Sequence, residues 1–216
     1  ENLEQLCAFV VENDLVLVCD QAFQDHIYDG IEFLHPATLP GMWERTLTVC
    51  SISKGYGLSG FRIGYVYGDD RIMDTLYGGA VNVLGAPCTL SSIGAIAALQ
   101  DESILPEYYT RLERRRRIAH QILSSVPGVS MVMPESGILC WLNISQLGTA
   151  EEVVARIRTE ANIMVNEGTA YGEKGKGHIR IVSACFAEDA AAAKRLERIA
   201  SVLTRMAQEK GISPIQ

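Results

Sequence analysis

The chain has 216 residues, of which 48% are hydrophobic and 21% are charged, and its formal net charge at pH 7 is −7. The acidic balance disfavours a general role on nucleic acid or on anionic membranes, and no apolar run approaches the roughly 20 residues that cross a bilayer. Its six cysteines are widely spaced without a Cys-x-x-Cys pair, which favours reduced thiols over metal ligands. We therefore expect a soluble, cytoplasmic protein without a metal site.

The first elements are predicted to be an amphipathic helix followed by a buried strand. Apolar residues recur at helical spacing from Glu1 to about Glu12. Residues 15–19 then form a continuous apolar run, typical of a central parallel strand that is covered on both faces. Asp20 follows this run, so we expect it at the carboxyl end of the strand, the edge where open α/β sheets bind ligands.

A second apolar segment, Thr46–Ser51, predicts another buried strand, and Lys54 follows it where a loop is expected to begin. Desolvation disfavours a charged ammonium at such a place, and the neutral amine is the form that attacks a carbonyl to give a Schiff base. Glycines and serines surround the lysine, and the guanidinium fork of Arg62 matches a phosphate. A third strand is predicted at 61–67.

Helices are predicted at about 70–80, 89–100 and 106–125, the last being long and highly charged. Four consecutive arginines occupy positions 114–117. Because consecutive residues spread around a helix instead of lining one face, a solvated, salt-bridged helix is favoured over a nucleic-acid patch.

The remaining third alternates strands and helices, the pattern of an α+β domain. Thr149 and Glu152 have the spacing of a capping box. Trp141 is expected in the core, with a ligand contact as the alternative. None of the four histidines has metal or triad spacing. Strands are predicted at 130–133, 138–144, 163–165 and 178–185, and helices at 149–161 and from 187 to about 210.

A single arginine, Arg180, stands inside the otherwise apolar strand at 178–185. Such a residue is costly unless it pairs with an anion. An anionic ligand would supply such a partner. An internal salt bridge is the alternative.

The segment around Lys54 resembles the cofactor-lysine motif of class I/II aminotransferases, enzymes of the aspartate aminotransferase fold (fold type I) that use pyridoxal 5′-phosphate (PLP). Ser-x-Ser-Lys is followed by Gly-x-Arg-x-Gly-Tyr, with Arg62 eight places after the lysine. Asp20-Gln21-Ala22-Phe23 resembles the family's strand-end Asp-x-x-Tyr. The resemblance implies that Lys54 holds PLP as a Schiff base and later shuttles the substrate proton, while Asp20 keeps the pyridine nitrogen protonated.

The resemblance also implies ligands for the cofactor and the substrate. Ser51 matches a position that often donates to the cofactor phosphate, with Ser53 as a weaker candidate, and Arg62 is expected to bind the same phosphate. Arg180 resembles the arginine that grips the substrate α-carboxylate. Tyr171 lies in a loop that closes over the substrate in relatives, although packing at a domain interface is an equal alternative.

Phe23 departs from the family pattern, in which a tyrosine hydroxyl hydrogen-bonds the phenolic oxygen of the cofactor. A phenylalanine cannot donate that bond. We therefore expect a higher Schiff-base pKa than in tyrosine-bearing relatives, or a compensating donor elsewhere.

The resemblance covers residues 1–216 nearly end to end and implies the C-terminal half of such an enzyme, an α/β fold. Residues 1–102 would form the C-terminal part of the large PLP-binding domain, a three-layer αβα sheet, and residues 103–216 the linking helix and a small α+β domain. The implied activity is amino-group transfer between an amino acid and a 2-oxo acid by a homodimer. A PLP-dependent C–S β-lyase, an enzyme like aminocyclopropane-carboxylate synthase, and a non-catalytic fragment are the alternatives.

Overall fold

The computed structural model describes residues 1–185 and 188–213. The chain divides into two compact units, Glu1–Tyr109 and Thr110–Gln216. Both units combine helices with a sheet, as the predicted α/β class requires. Within the described ranges, no helix is both long and apolar enough to cross a membrane.

The sheet of the first unit has three strands in the order β1-β2-β3. β1 and β2 are parallel, and Asp20 pairs with Val49 in their register. β3 runs antiparallel to β2, with Gly64 opposite Ser51. The strands are β1 (Leu17–Asp20), β2 (Thr46–Ser51) and β3 (Gly64–Tyr67).

Helices precede, separate and follow these strands, and all but the short one at 52–55 form at predicted places. Asp69 caps the helix that follows β3, because its side chain accepts a hydrogen bond from the Arg71 N–H at 3.0 Å. Another helix packs closely on Phe61, since a Cβ on Gly94 would lie 2.4 Å from that ring. The helices are α1 (Asn2–Glu12), α2 (Ile52–Gly55), α3 (Asp70–Val83), α4 (Thr89–Gln100) and α5 (Ile104–Ser124), within which the two units divide.

The apolar residues of β1 and its flank are not covered on both faces, so that prediction is wrong for this chain. Val16 and Val18 are 64% and 63% exposed, and Val83 and Leu84 at the end of α3 are 82% and 80% exposed. Val16, Val83 and Leu84 also line a groove of about 1140 Å³. Such contiguous apolar exposure is unusual for a protein surface.

The second unit has a four-stranded antiparallel sheet in the order β4-β5-β7-β6. The strand predicted at 163–165 is displaced along the sequence: the observed strand begins at Asn166, which pairs with Arg180. The elements are β4 (Ser130–Met131), β5 (Leu139–Asn143), α6 (Ala150–Arg156) with a π-helical continuation (Ile157–Ala161), β6 (Asn166–Glu167), β7 (His178–Val182) and α7 (Asp189–Glu209).

One face of this sheet packs on α6 and α7 to form the core of the second unit. Leu196, Ile199, Leu203 and Met206 recur at helical spacing along α7 and are all buried, so they form a single apolar stripe. The predicted capping box of α6 is confirmed, with hydrogen bonds in both directions between Thr149 and Glu152.

Of the four consecutive arginines on α5, two are exposed to solvent and two are buried. The side chains of Arg114 and Arg117 are 56% and 58% exposed and form ion pairs with Asp189 and Glu113, as predicted. Arg115 and Arg116 are each 2% exposed. Arg115 Nε donates to Asp189 Oδ1 at 2.9 Å, and Arg116 Nη1 donates to the Pro134 carbonyl at 2.7 Å.

Candidate active site

Asp20 ends β1, as predicted, and its side chain is exposed at the carboxyl edge of the sheet. Its Oδ1 accepts a hydrogen bond from the Ala22 N–H at 3.0 Å, which holds the turn that follows the strand. Among the described residues, no cationic side chain forms an ion pair with this carboxylate. The carboxylate is therefore available to an external positive group.

Lys54 lies in the single-turn helix α2 and not in the loop that the sequence predicts. The difference arises from Ser51, whose Oγ accepts a hydrogen bond from the Ser53 N–H at 3.1 Å and so caps the helix. The Ser51 hydroxyl hydrogen remains free to donate to another group. Because β1 and β2 are parallel, Asp20 and the capped turn that carries Lys54 share one edge of the sheet.

Arg62 follows the lysine turn in a left-handed backbone conformation, with φ at 57°. This conformation costs a non-glycine residue about 1–2 kcal/mol, and such strain is typical of functional sites. Arg62 Nη1 donates to the Ser59 carbonyl at 2.8 Å, and no described carboxylate pairs with the guanidinium. Arg62 therefore places an exposed positive charge, held by a backbone carbonyl, directly after the lysine turn.

Asp25 is a neighbour of the lysine turn that sequence reasoning missed. Its carboxylate lies against Gly55, and burial raises the pKa of this carboxyl above its ordinary value. Burial and the adjacent Cys50 also raise the pKa of Tyr65 to about 12. No sequence signal identifies this cluster, because Asp25 and Gly55 are distant along the chain and belong to no common motif.

Phe23 is half-buried, and its carbonyl accepts a hydrogen bond from the His26 N–H at 3.0 Å. His26 itself is 1% exposed, and neither ring nitrogen has a hydrogen-bond partner among the described residues. Burial lowers the pKa of His26 to about 4. The histidine is therefore neutral in the folded protein at ordinary pH.

In the second unit, Arg180 and Tyr171 lie together. The guanidinium carbon of Arg180 is 4.7 Å from the ring centroid of Tyr171, a cation–π distance. Arg180 Nη2 donates to Asn166 Oδ1 at 2.9 Å. The internal salt bridge considered as an alternative is absent from the described part of the chain, so neutral groups hold this cation.

Trp141 on β5 pairs with Arg180 on β7 and is 37% exposed, so its predicted core position is wrong. Its ring stacks on His178 at 5.4 Å and meets Tyr171 edge to face at 5.8 Å. The β5 strand alternates, with Cys140 and Leu142 pointing to the core, and Trp141 therefore belongs to the outer face. Together these rings form an aromatic surface beside Arg180.

The comparisons with known proteins agree with this geometry. The family model for aminotransferase class I and II matches residues 1–199. The aspartate aminotransferase of Pyrococcus abyssi (strain GE5 / Orsay) is 29% identical over 99% of this chain and 54% of its own length. Aromatic-amino-acid aminotransferase 2 of Thermococcus litoralis is 27% identical over 97% of this chain and 53% of its own length.

Among solved structures, an aromatic aminotransferase from Pyrococcus horikoshii OT3 superposes with a TM-score of 0.85 at 28% identity, over 98% of this chain and 56% of that one. The predicted fold is thereby confirmed. The chain spans about half the length of the relatives that it matches. With the family model matching well over half of its residues, the chain belongs to the class I and II aminotransferase family.

Proposed function

We propose that the protein acts as a PLP-dependent aminotransferase, moving an amino group between an amino acid and a 2-oxo acid. The observation that carries the proposal is the sheet edge of the first unit, where the Asp20 carboxylate and the capped turn with Lys54 end two adjacent parallel strands. Family membership supports the same chemistry.

The residues at this edge fit the groups that PLP presents. Its ring nitrogen needs an anion, and the Asp20 carboxylate has no described cationic partner. Its phosphate needs donors, and Arg62 offers a guanidinium without a described carboxylate partner. Ser51 offers a hydroxyl, with Ser53 as a weaker candidate. Its aldehyde needs an amine, which Lys54 supplies.

Each of these residues then has a defined task. When bound, PLP supplies an electron sink for negative charge at the substrate Cα. The Asp20 carboxylate holds a proton on the ring nitrogen, while Arg62 and Ser51 hold the phosphate. The Lys54 amine would hold the cofactor and would move the proton of the substrate Cα. Phe23 would offer the bound cofactor an apolar side chain that cannot donate a hydrogen bond.

Arg180 binds the substrate α-carboxylate in this proposal. A guanidinium oriented by an amide and an aromatic ring keeps its full charge for an anionic ligand. Tyr171 is a substrate-side residue, because its ring lies directly under that guanidinium. Both the aspartate and the aromatic aminotransferases to which the chain is similar act on α-amino acids, which supports a substrate of this class.

The proposal extends to organisation and location. Residues 1–102 correspond to the C-terminal part of a large PLP-binding domain and residues 103–216 to the linking helix and small domain. The exposed apolar surface of the first unit supports assembly into a homodimer. All six cysteines are free, which supports a reducing compartment such as the cytoplasm.

A labelling experiment tests the cofactor site. PLP is added to the 216-residue chain and, in parallel, to the full-length protein encoded by the gene; borohydride reduction and peptide mass spectrometry then locate the pyridoxyl group. We expect one labelled residue, Lys54, and no label in the variant Lys54→Ala. The variant Lys174→Ala, which removes an exposed lysine, should label normally. Labels scattered over surface lysines in both proteins would overturn the assignment of Lys54.

Product analysis tests the reaction. The full-length protein with an α-amino acid and a 2-oxo acid should give the exchanged amino acid and 2-oxo acid in equal amounts. Lys54→Ala should abolish turnover while leaving the fold intact by circular dichroism. Release of ammonia and pyruvate without amino-group transfer would contradict the proposed reaction and indicate elimination instead.

A further inference from the structure

We infer that Asn166 is a positioning residue, which fixes the guanidinium of Arg180 so that one edge of it is presented to a substrate carboxylate. This inference rests on the proposed function, because it assigns a role within the same substrate site. Asn166 is not among the site residues predicted from the sequence.

The position of Asn166 follows from the strand register. Asn166 on β6 and Trp141 on β5 are the two residues that pair with Arg180 on β7. Since directly paired residues present their side chains on the same face of a sheet, the amide reaches the guanidinium from the neighbouring strand. The resulting bond, from Arg180 Nη2 to Asn166 Oδ1, is 2.9 Å long.

Two further observations restrict where a ligand can reach the guanidinium. Arg180 Nε is buried and has no hydrogen-bond partner in the described part of the chain, so a ligand from solvent cannot use the Nε edge. The ring of Tyr171 covers one face at 4.7 Å. Asn166 takes one of the four hydrogens on Nη1 and Nη2, so these two nitrogens keep three N–H groups for a substrate carboxylate.

The neutral character of Asn166 is essential to this arrangement. An amide oxygen orients the guanidinium but leaves its positive charge uncompensated. A carboxylate at the same place would instead form an ion pair with Arg180 and compete with the substrate. The change from Asn166 to aspartate preserves size and the acceptor oxygen, and therefore separates charge from shape.

The exposed position of Asn166 makes substitutions there compatible with folding. The experiment uses the full-length protein with the variants Asn166→Asp, Asn166→Ala and Arg180→Lys, and with Met164→Ala as a matched exposed control on the same segment (85% exposed). Steady-state kinetics are measured with an α-amino acid and with the corresponding amino acid amide, which lacks the carboxylate. Thermal melts establish that each variant is folded.

For Asn166→Asp we expect KM for the amino acid to rise about tenfold or more, the size of a lost charge-assisted hydrogen bond. We expect kcat to change by less than about twofold and KM for the amide to stay constant, since the amide does not use Arg180 as a carboxylate does. Asn166→Ala should raise KM for the amino acid by a smaller factor, and Met164→Ala should change neither constant.

The outcomes distinguish this inference from the proposed function. If Arg180→Lys raises KM for the amino acid while Asn166→Asp does not, the role of Asn166 is wrong and the proposed function stands. Equal rises for the amino acid and its amide would indicate a general disturbance and also overturn the role of Asn166. Absence of transamination by the unmodified full-length protein would overturn the proposed function, and the inference with it.

Discussion

The carboxylate of Asp25 lies directly against the Cα of Gly55, the residue that follows Lys54. A Cβ on Gly55 would be 2.0 Å from Asp25 Oδ2, 2.7 Å from its Cγ and 2.9 Å from its Cβ. These separations are far below a normal van der Waals contact, and they involve the whole side chain, not only its mobile end. The aspartate and the lysine turn therefore fix each other's position, and only glycine permits the contact.

We predict that Gly55→Ala destabilises the protein by about 1–3 kcal/mol, the usual cost of forcing a methyl group into a packed site. The added methyl must displace either the Asp25 side chain or the turn that carries Lys54. Urea denaturation monitored by circular dichroism measures the change in the free energy of unfolding.

Gly60→Ala is the matched control for this prediction. Gly60 lies in the same segment after Lys54, its φ is not positive, and a Cβ added there would meet no described atom within 4 Å. We expect Gly60→Ala to leave the denaturation midpoint nearly unchanged. Equal midpoints for Gly55→Ala and the unsubstituted protein would show that Asp25 moves aside without resistance.

The buried His26 predicts a loss of stability in acid. Its pKa is about 4 in the folded protein and about 6.5 in an unfolded chain. Because the folded pKa is the lower one, the folded state disfavours protonation of this ring. The contribution of His26 to the free energy of unfolding is therefore fully present above pH 6.5. It falls by about 3 kcal/mol as the pH drops from 6.5 to 4.

The variant His26→Leu removes this titration. We expect the free energy of unfolding of His26→Leu to fall less between pH 7 and pH 4.5 than that of the unsubstituted protein, by about 2–3 kcal/mol. Both proteins contain every other titrating group, including Asp25, so the comparison isolates the histidine. Parallel pH profiles for the two proteins would mean that His26 is hydrated or partnered in solution.

Local sequence patterns were sufficient for the positions that depend on local structure. Asp20 ends a strand because an apolar run stops before it, and Thr149 and Glu152 form their capping box because the spacing is set within one helical turn. The lysine turn was less predictable. Its helical form depends on the cap at Ser51, and serine favours both caps and loops.

Features that depend on tertiary packing could not be predicted in this way. The contact of Asp25 with Gly55 joins two distant segments, and burial of Arg115 and Arg116 depends on which side of α5 meets the rest of its unit. Val18 shows the opposite case, because its apolar run was predicted to be buried and the side chain is exposed. An apolar run indicates that its side chains favour burial, but it does not identify the segment that buries them.

Cysteine reactivity provides a third prediction. Hydrogen bonds from the backbone and side chain of Ser91 lower the pKa of the exposed Cys88 thiol, whereas burial raises the pKa of Cys140 to about 12. The thiolate is the reactive form. We therefore expect iodoacetamide at pH 8 to modify Cys88 first in the native 216-residue chain and Cys140 only after unfolding.

Cys185 is the internal comparison for this experiment, because it is also exposed, whereas Cys88 stands directly before α4. Peptide mass spectrometry over a time course measures the rate at each position. Modification of Cys185 at the same rate as Cys88 would show that exposure alone controls reactivity. Early modification of Cys140 would contradict its burial in the core of the second unit.

The pairing of Arg115 with Asp189 predicts a marked difference between two carboxylates at opposite ends of α7. Asp189 bonds the buried Arg115 at 2.9 Å, whereas Glu209 bonds the partly exposed Arg156, and the Glu209 side chain is 57% exposed. Removing the anion beside a buried guanidinium costs far more than removing one at the surface. Asp189 also lies in the first turn of its helix, where a negative charge is favourable.

We therefore predict that Asp189→Asn destabilises the protein at pH 7 by about 1–3 kcal/mol, and that Glu209→Gln has a much smaller effect. The bond from Arg115 lowers the pKa of the Asp189 carboxyl below its ordinary value of 3.8. Its stabilisation is therefore present above that value and is lost as the pH falls through the lower folded pKa. Urea denaturation at pH 7 and at pH 3 should accordingly show a difference between Asp189→Asn and the unsubstituted protein that shrinks in acid. A constant difference at both values would mean that shape, not charge, holds α7 to α5.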